Sequence, residues 1–249
     1  MNKRWLCLLL VLALFASMTA CGSEVETIAT EETVIETEKP EEQKTSIPIT
    51  NIPNNLFGSC SDYLYTNALL QIQFTLPTGW YFYSNSKLAA LSGITLGEEE
   101  EATQERFQTA LKANGISYDM IAQETDGAEM VAVSFEHVGY LYGVNTTEQQ
   151  FAEMMLEKYS ARLSGIDSGA ADAQISTLFL ARDEHPCLQF ISSENGQTLH
   201  KTIVFVQAGE FMAIITACSP YEGDDVDILD TFIYYEEVTE DVEEDISEE

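Results

Sequence analysis

The side chains able to do chemistry are few and scattered. His137, His185 and His200 lie far apart along the chain, and neither Cys-x-x-Cys nor His-Glu-x-x-His occurs. Zinc sites draw at least two ligands from one short segment, so each histidine reads as a strand-edge or surface residue; a site assembled from distant strands is the alternative. There is no Gly-x-Ser-x-Gly elbow and no glycine-rich phosphate loop, which removes the usual markers of acyl transfer and nucleotide chemistry. No catalytic, cofactor-binding or metal-binding residue is assigned on this basis, and no cofactor is expected. Carboxylates are the exception to scarcity: 42 Asp and Glu face 11 Lys and Arg. Two acids could meet from anywhere to cleave a glycosidic bond, but in so acidic a chain a chance pair carries little information. Trp80-Tyr81-Phe82-Tyr83, with Tyr63 and Tyr65, either lines a ligand groove or is a strand packing one face on the core. Asp224, Asp225 and Asp227 suit the positive end of a helix better than a cation site, because no glycine-centred loop of alternating oxygen ligands follows.

The five cysteines divide by position. Cys7 falls in an apolar run, Trp5 to Phe15, that follows the basic Lys3-Arg4 and precedes the small residues Ala16, Ser17 and Ala20. That order is a signal peptide, predicted over residues 1–20. The run of about 11 residues is short of the roughly 20 that span a membrane as a helix. Met18-Thr19-Ala20-Cys21 resembles the lipobox of bacterial lipoproteins, with Met18 where Leu is usual and Thr19 where Ala or Ser is usual. The resemblance implies a cut before Cys21, a lipid on that cysteine, and attachment to the extracytoplasmic face of the cell membrane. A plain secretory cut that leaves Cys21 free is the alternative.

Residues 21–55 then read as the lipidated cysteine followed by a tether. Glu24 to Lys44 holds eight Glu against Lys39 and Lys44, with Pro40, Pro48 and Pro53 in and beyond it and no sustained apolar period. Such a segment cannot bury enough surface to offset the entropy of ordering, and its own repulsion extends it. Residues 236–249, with nine acids and no base, read as a solvated tail. Between them residues 45–235 carry 25 acids against seven bases. A nucleic-acid partner is excluded, since phosphate binding rests on Lys and Arg, and adsorption to anionic headgroups is weakened for the same reason.

Residues 56–235 are expected to form a single α+β domain. Asp126-Gly127, Asn195-Gly196 and Ala208-Gly209 each separate apolar, β-branched runs, which predicts hairpins and a mainly antiparallel sheet. Further strands are expected at 69–76, 80–83 and 173–181. Phe151, Met154, Met155, Tyr159 and Leu163 recur at helical spacing behind Thr146 and Thr147, each followed three residues later by a glutamine, which is a capping-box pattern. Helices are also expected at 99–112, at 86–91, and from Asp224 through Ile233. Two-residue loops at Asn195-Gly196 and Ala208-Gly209 would set Cys187 opposite Val204, Val204 opposite Ala213, and Cys218 opposite Leu199. Both sheet faces are then apolar, with Cys187, Val204, Val206, Phe211, Ala213 and Ile215 on one and Leu188, Phe190, Ile203, Phe205, Met212, Ile214 and Cys218 on the other. Helices should cover both faces, an α/β/α sandwich. Cys187 and Cys218, on opposite faces, cannot be bonded. Three free thiols are expected, with a bond from Cys60 to one of the others as the alternative.

Leu76-Pro77-Thr78-Gly79-Trp80 after a strand, followed by this order of helices and strands, resembles the PsbP and DcrB-like group of small exported or lumenal proteins. The likeness covers roughly residues 69–235 and rests at residue level on the Pro-x-Gly-Trp step alone. It implies an antiparallel sheet sandwiched by helices and a role in binding or scaffolding other proteins, and it brings no site residues with it. The expectation is a lipid-anchored extracytoplasmic protein that binds an envelope protein or a small ligand without catalysis. An envelope hydrolase or carbohydrate-active protein, with two carboxylates beside Trp80 or exposed tyrosines, is the competing reading.

Overall fold

The computed structural model describes residues 51–97, 100–141, 146–164, 171–194 and 197–236. Cys21, the signal peptide, the acidic tail beyond Glu236 and the Asn195-Gly196 turn lie outside them. One seven-stranded antiparallel sheet is built from β4 (Trp80–Phe82), β5 (Ile116–Glu124), β6 (Met130–His137), β10 (Phe211–Ser219), β9 (Gln197–Ala208), β8 (Asp183–Glu194) and β7 (Ala171–Leu180), in that spatial order. Every residue of β6 and of β10 is buried. Strands apolar on both sides belong where both faces are covered, which puts these two in the middle.

The face carrying Leu188, Phe190, Ile203, Phe205, Met212, Ile214 and Cys218 is covered by helices. Helix α1 (Asn85–Leu91) contributes Leu88 and Ala89, and α2 (Gln104–Asn114) contributes Phe107. After α3 (Val138–Leu141), a single turn, α4 (Glu148–Ser164) supplies Phe151, Ala152, Met155 and Tyr159. The capping box forms at Thr147: its Oγ1 accepts from the Gln150 amide at 3.2 Å, and Gln150 Oε1 accepts from the Thr147 amide at 3.0 Å.

The opposite face, with Cys187, Val204, Val206, Phe211, Ala213 and Ile215, meets α5 (Asp224–Asp230) through Ile228 and Leu229. Helices thus lie on both faces of an α+β fold, as expected. Beside α5 this face also receives a second antiparallel sheet, ordered β1 (Ser59–Cys60), β2 (Leu64–Asn67), β3 (Ile72–Thr75) and β11 (Phe232–Tyr234). Aromatic edges close that contact: Phe74 lies 6.3 Å from Phe82 and 5.0 Å from Phe232, centroid to centroid. The closing helix ends at Asp230, and Phe232, expected within it, sits in a strand opposite Phe74.

One register differs from expectation. Cys187 does face Val204, but Val204 faces Ile215, and Cys218 faces Lys201. The loop is Gly209-Glu210, between paired Ala208 and Phe211, with Gly209 at φ +65°. A turn with positive φ only at its first central position requires glycine there, so glycine, and not the alanine before it, opens the loop. Because the slip is two residues, the face assignments survive. Helix α2 starts at Gln104, later than expected, and runs two residues past the expected end, to Asn114, where Gly115 is left-handed at φ +74°. Cys60, Cys187 and Cys218 are all free thiols.

Candidate functional site

Polar chemistry gathers in two places, and both involve a carboxylate that the sequence did not single out. The first is Asp119. Strand β5 pairs Tyr118 with Ser134 and Met120 with Val133, leaving Asp119 as an extra residue in a bulge. A bulge re-aims the side chain it carries. Here the carboxylate accepts from the Gly58 amide at 2.9 and 3.0 Å, from the Tyr65 hydroxyl at 2.6 Å and from Asn67 Nδ2 at 3.1 Å. Those donors come from the loop before β1 and from β2, so Asp119 ties the small sheet to the large one. Loss of solvent pushes its carboxyl up to about 6, and the hydrogen bonds from Tyr65, Gly58 and Asn67 pull only partly the other way.

The second is a cleft of about 190 Å³ where α4 begins. Glu148, in the first turn of α4, accepts from the Gln207 amide at 2.6 Å through one oxygen and lies 3.1 Å from His185 Nδ1 through the other. Asp183, Arg182 and Gln71 complete the polar lining, while Leu69, Leu70, Ile72, Leu180 and Val206 make the apolar wall. Arg182 pairs with Asp183 at 3.1 Å and lies 4.8 Å over the Tyr234 ring. Gln71 and Ala181 are the non-glycine residues with positive φ among those described, at +54° and +57°, and both line this cleft. Such backbone conformations persist only where neighbours impose them. Here the neighbours are Ile233, bridged to Ala181, and Tyr235, whose amide donates to the Gln71 carbonyl at 2.9 Å. The cleft is smaller than the roughly 300 Å³ at which ordinary small-molecule sites begin.

The remaining sequence candidates are dispersed. His137 is buried, not at an edge or surface: its ring meets Phe211 at 5.0 Å and Nε2 lies 3.7 Å from Glu210. Burial lowers its pKa, against the pull of Glu210. His200 lines a separate groove of about 290 Å³ with Glu222 and Asp225. Asp225 is buried and accepts from Thr202 Oγ1 at 2.7 Å, while α5 has all three of its first-turn aspartates at the positive end. Among the described residues no group of three His, Cys, Asp or Glu is placed to hold a metal ion.

The aromatic run is a strand, β4. Trp80 packs partly against the second face, and Tyr81 and Tyr83 stack at 5.9 Å and both donate to Gln123 Oε1, at 3.1 and 2.6 Å. Glu124 lies opposite Trp80. Loss of solvent and then the hydrogen-bonded carboxyl of Asp126 push Glu124 up to about 7. Carboxyls in hydrogen-bond contact are closer than the roughly 5 Å that either glycosidase geometry requires.

No family model and no curated protein matches the sequence. Among solved structures, the chain is similar to cyanobacterial PsbP from Synechocystis sp. PCC 6803, at 11% identity and a TM-score of 0.42, over 76% of this chain and 99% of that one. A Bacteroides thetaiotaomicron protein aligns at 10% identity and a TM-score of 0.36, over 72% of this chain and 50% of that one. LpqN of Mycobacterium tuberculosis, described as involved in cell envelope biogenesis, aligns at 11% identity and a TM-score of 0.32, over 66% and 83%.

Proposed function

We propose that this chain is an extracytoplasmic lipoprotein, held at a membrane by lipid on Cys21, whose domain binds a partner of the cell envelope without catalysing a reaction. The anchoring half rests on the signal-peptide order of Lys3, Arg4 and the apolar run, followed by Ala20-Cys21 and an acidic spacer. Among the described residues no helix is long and apolar enough to cross a membrane.

The non-catalytic half is carried by one observation. Three of the carboxylates drawn into the domain, Asp119, Glu148 and Asp225, accept hydrogen bonds from fixed donors of the fold. A general acid or base must instead reach a reacting atom, and a nucleophile needs a base aimed at it. Here the acids fasten elements together: the two sheets at Asp119, α4 to β8 and β9 at Glu148, α5 to β9 at Asp225.

Two measurements test the reading. Intact mass and membrane fractionation of the precursor, wild type against Cys21→Ser, should show a lipid-heavier, membrane-bound species that becomes soluble or uncleaved in the variant. A soluble wild-type product cut after Ala20 without added lipid overturns the anchor. Turnover of a polysaccharide or peptide substrate that is lost in Glu124→Gln would overturn the non-catalytic role.

A further inference from the structure

The seven-stranded sheet has two edges. One is β4, only three residues long; the other is β7, ten residues from Ala171 to Leu180. Strand β7 pairs with β8 on its inner side, and among the described residues no strand pairs with its outer side. Soluble proteins blunt such edges with shortness, charge, proline or a bulge, because a free row of amides and carbonyls recruits other strands. Residues 173–180 read Ala-Gln-Ile-Ser-Thr-Leu-Phe-Leu, with no charge, proline or glycine. The register irregularity lies between Ala171 and Gln174 and leaves the rest of the strand regular. Gln174, Thr177 and Phe179 are exposed, Phe179 to 59%.

We propose that β7 is a docking edge where an extended segment of a partner protein, flanked by lysine or arginine, adds an eighth strand; this deepens the partner-binding reading above and rests on it. Main-chain pairing gives affinity in this mode, and alternate side chains give selectivity. An added strand would cover Ile175 and Phe179 on the α4 side and Leu178 on the other. Charge chooses the occupant. Phe179 pairs with the exposed acid Glu184, in a domain with 25 acids against seven bases over residues 45–235. A second copy would bring the same excess against itself, whereas basic ends are attracted to it.

The test uses the full chain and a synthetic peptide of alternating valine and threonine with lysines at both ends. Amide exchange across residues 173–180 should slow when the peptide is added. Phe179→Lys should weaken the peptide about tenfold, as expected when one large apolar contact is replaced by a like charge. Tyr63→Lys, at an exposed aromatic on the β1–β2 turn of the small sheet, should leave binding unchanged. The same peptide with glutamates at its ends should not bind. Peptide binding without slowed exchange in β7, which attraction to the acidic termini alone would give, overturns the proposal. So does equal binding of the glutamate-ended peptide, or a concentration-dependent dimer that protects β7 without peptide. Substrate turnover, by contrast, would overturn the non-catalytic reading while leaving edge binding measurable.

Discussion

Asp119 gives the sharpest test of how the two sheets are joined. Its carboxyl titrates at about 6 in the fold against an ordinary 3.8. A raised folded value means that the native state holds the proton more tightly than the unfolded chain. The stability this confers is fully present below pH 3.8 and is lost as pH rises through about 6. At about 1.4 kcal/mol per pKa unit, ionisation costs the native state up to about 3 kcal/mol by pH 7. Other acids titrate over the same range, so the quantity to measure is the difference between wild type and Asp119→Asn. Urea unfolding of both, from pH 4 to pH 7.5, should show the asparagine variant gaining on wild type by about 2 to 3 kcal/mol, with most of the change near pH 5. Tyr65→Phe removes the shortest of the donors that favour the ionised form and should move the window to higher pH. Parallel stability curves, or wild type gaining as pH rises, would refute the argument that desolvation outweighs the three donors.

Gly58→Ala should destabilise by about 2 kcal/mol or more in thermal or urea unfolding, because a Cβ there would collide with the Thr66 carbonyl oxygen and lie 2.6 Å from Tyr65 Cε2. Glu148→Ala should cost about 1 kcal/mol by the same assay, since it removes the acceptor of the Gln207 amide and the partner of His185 Nδ1; a change within error would mean that water replaces the carboxylate. Thr147→Ala should cost about 1 kcal/mol through loss of the cap on α4. Alkylation in denaturant without reductant should label Cys60, Cys187 and Cys218 alike, and protection of any pair would contradict the free thiols.

The large sheet was legible because its signals are long. Twelve-residue strands such as β8 and β9 carry enough alternation to fix which side chains share a face, and a two-residue error in the loop at Gly209 leaves that parity intact. Of the small sheet only β3 was legible, within the strand expected at 69–76; the other strands run from two to four residues, and period-two alternation needs more. Phe232 and Ile233 extended the apolar pattern of α5, and only the pairing of Phe232 with Phe74, a tertiary contact, makes them strand. Asp119 did leave a trace: it is the one acid in the strand run Tyr118 to Gln123, and a charge inside an apolar strand needs a partner. Glu148 left none, since an acid in a first helical turn needs no further reason.

The pairing of β3 with β11 has a consequence in time. Residues 72–75 are among the first of the domain to be synthesised, yet their partner is residues 232–234, almost at its end. Such a loop closes late, because its entropic cost precedes any reward from contact. The small sheet therefore stays unfinished until residues 232–234 have appeared. Phe74, which packs against Phe232, has no finished seat before then. A nascent chain of this sequence thus cannot shut the second face before residues 232–234 are available to pair.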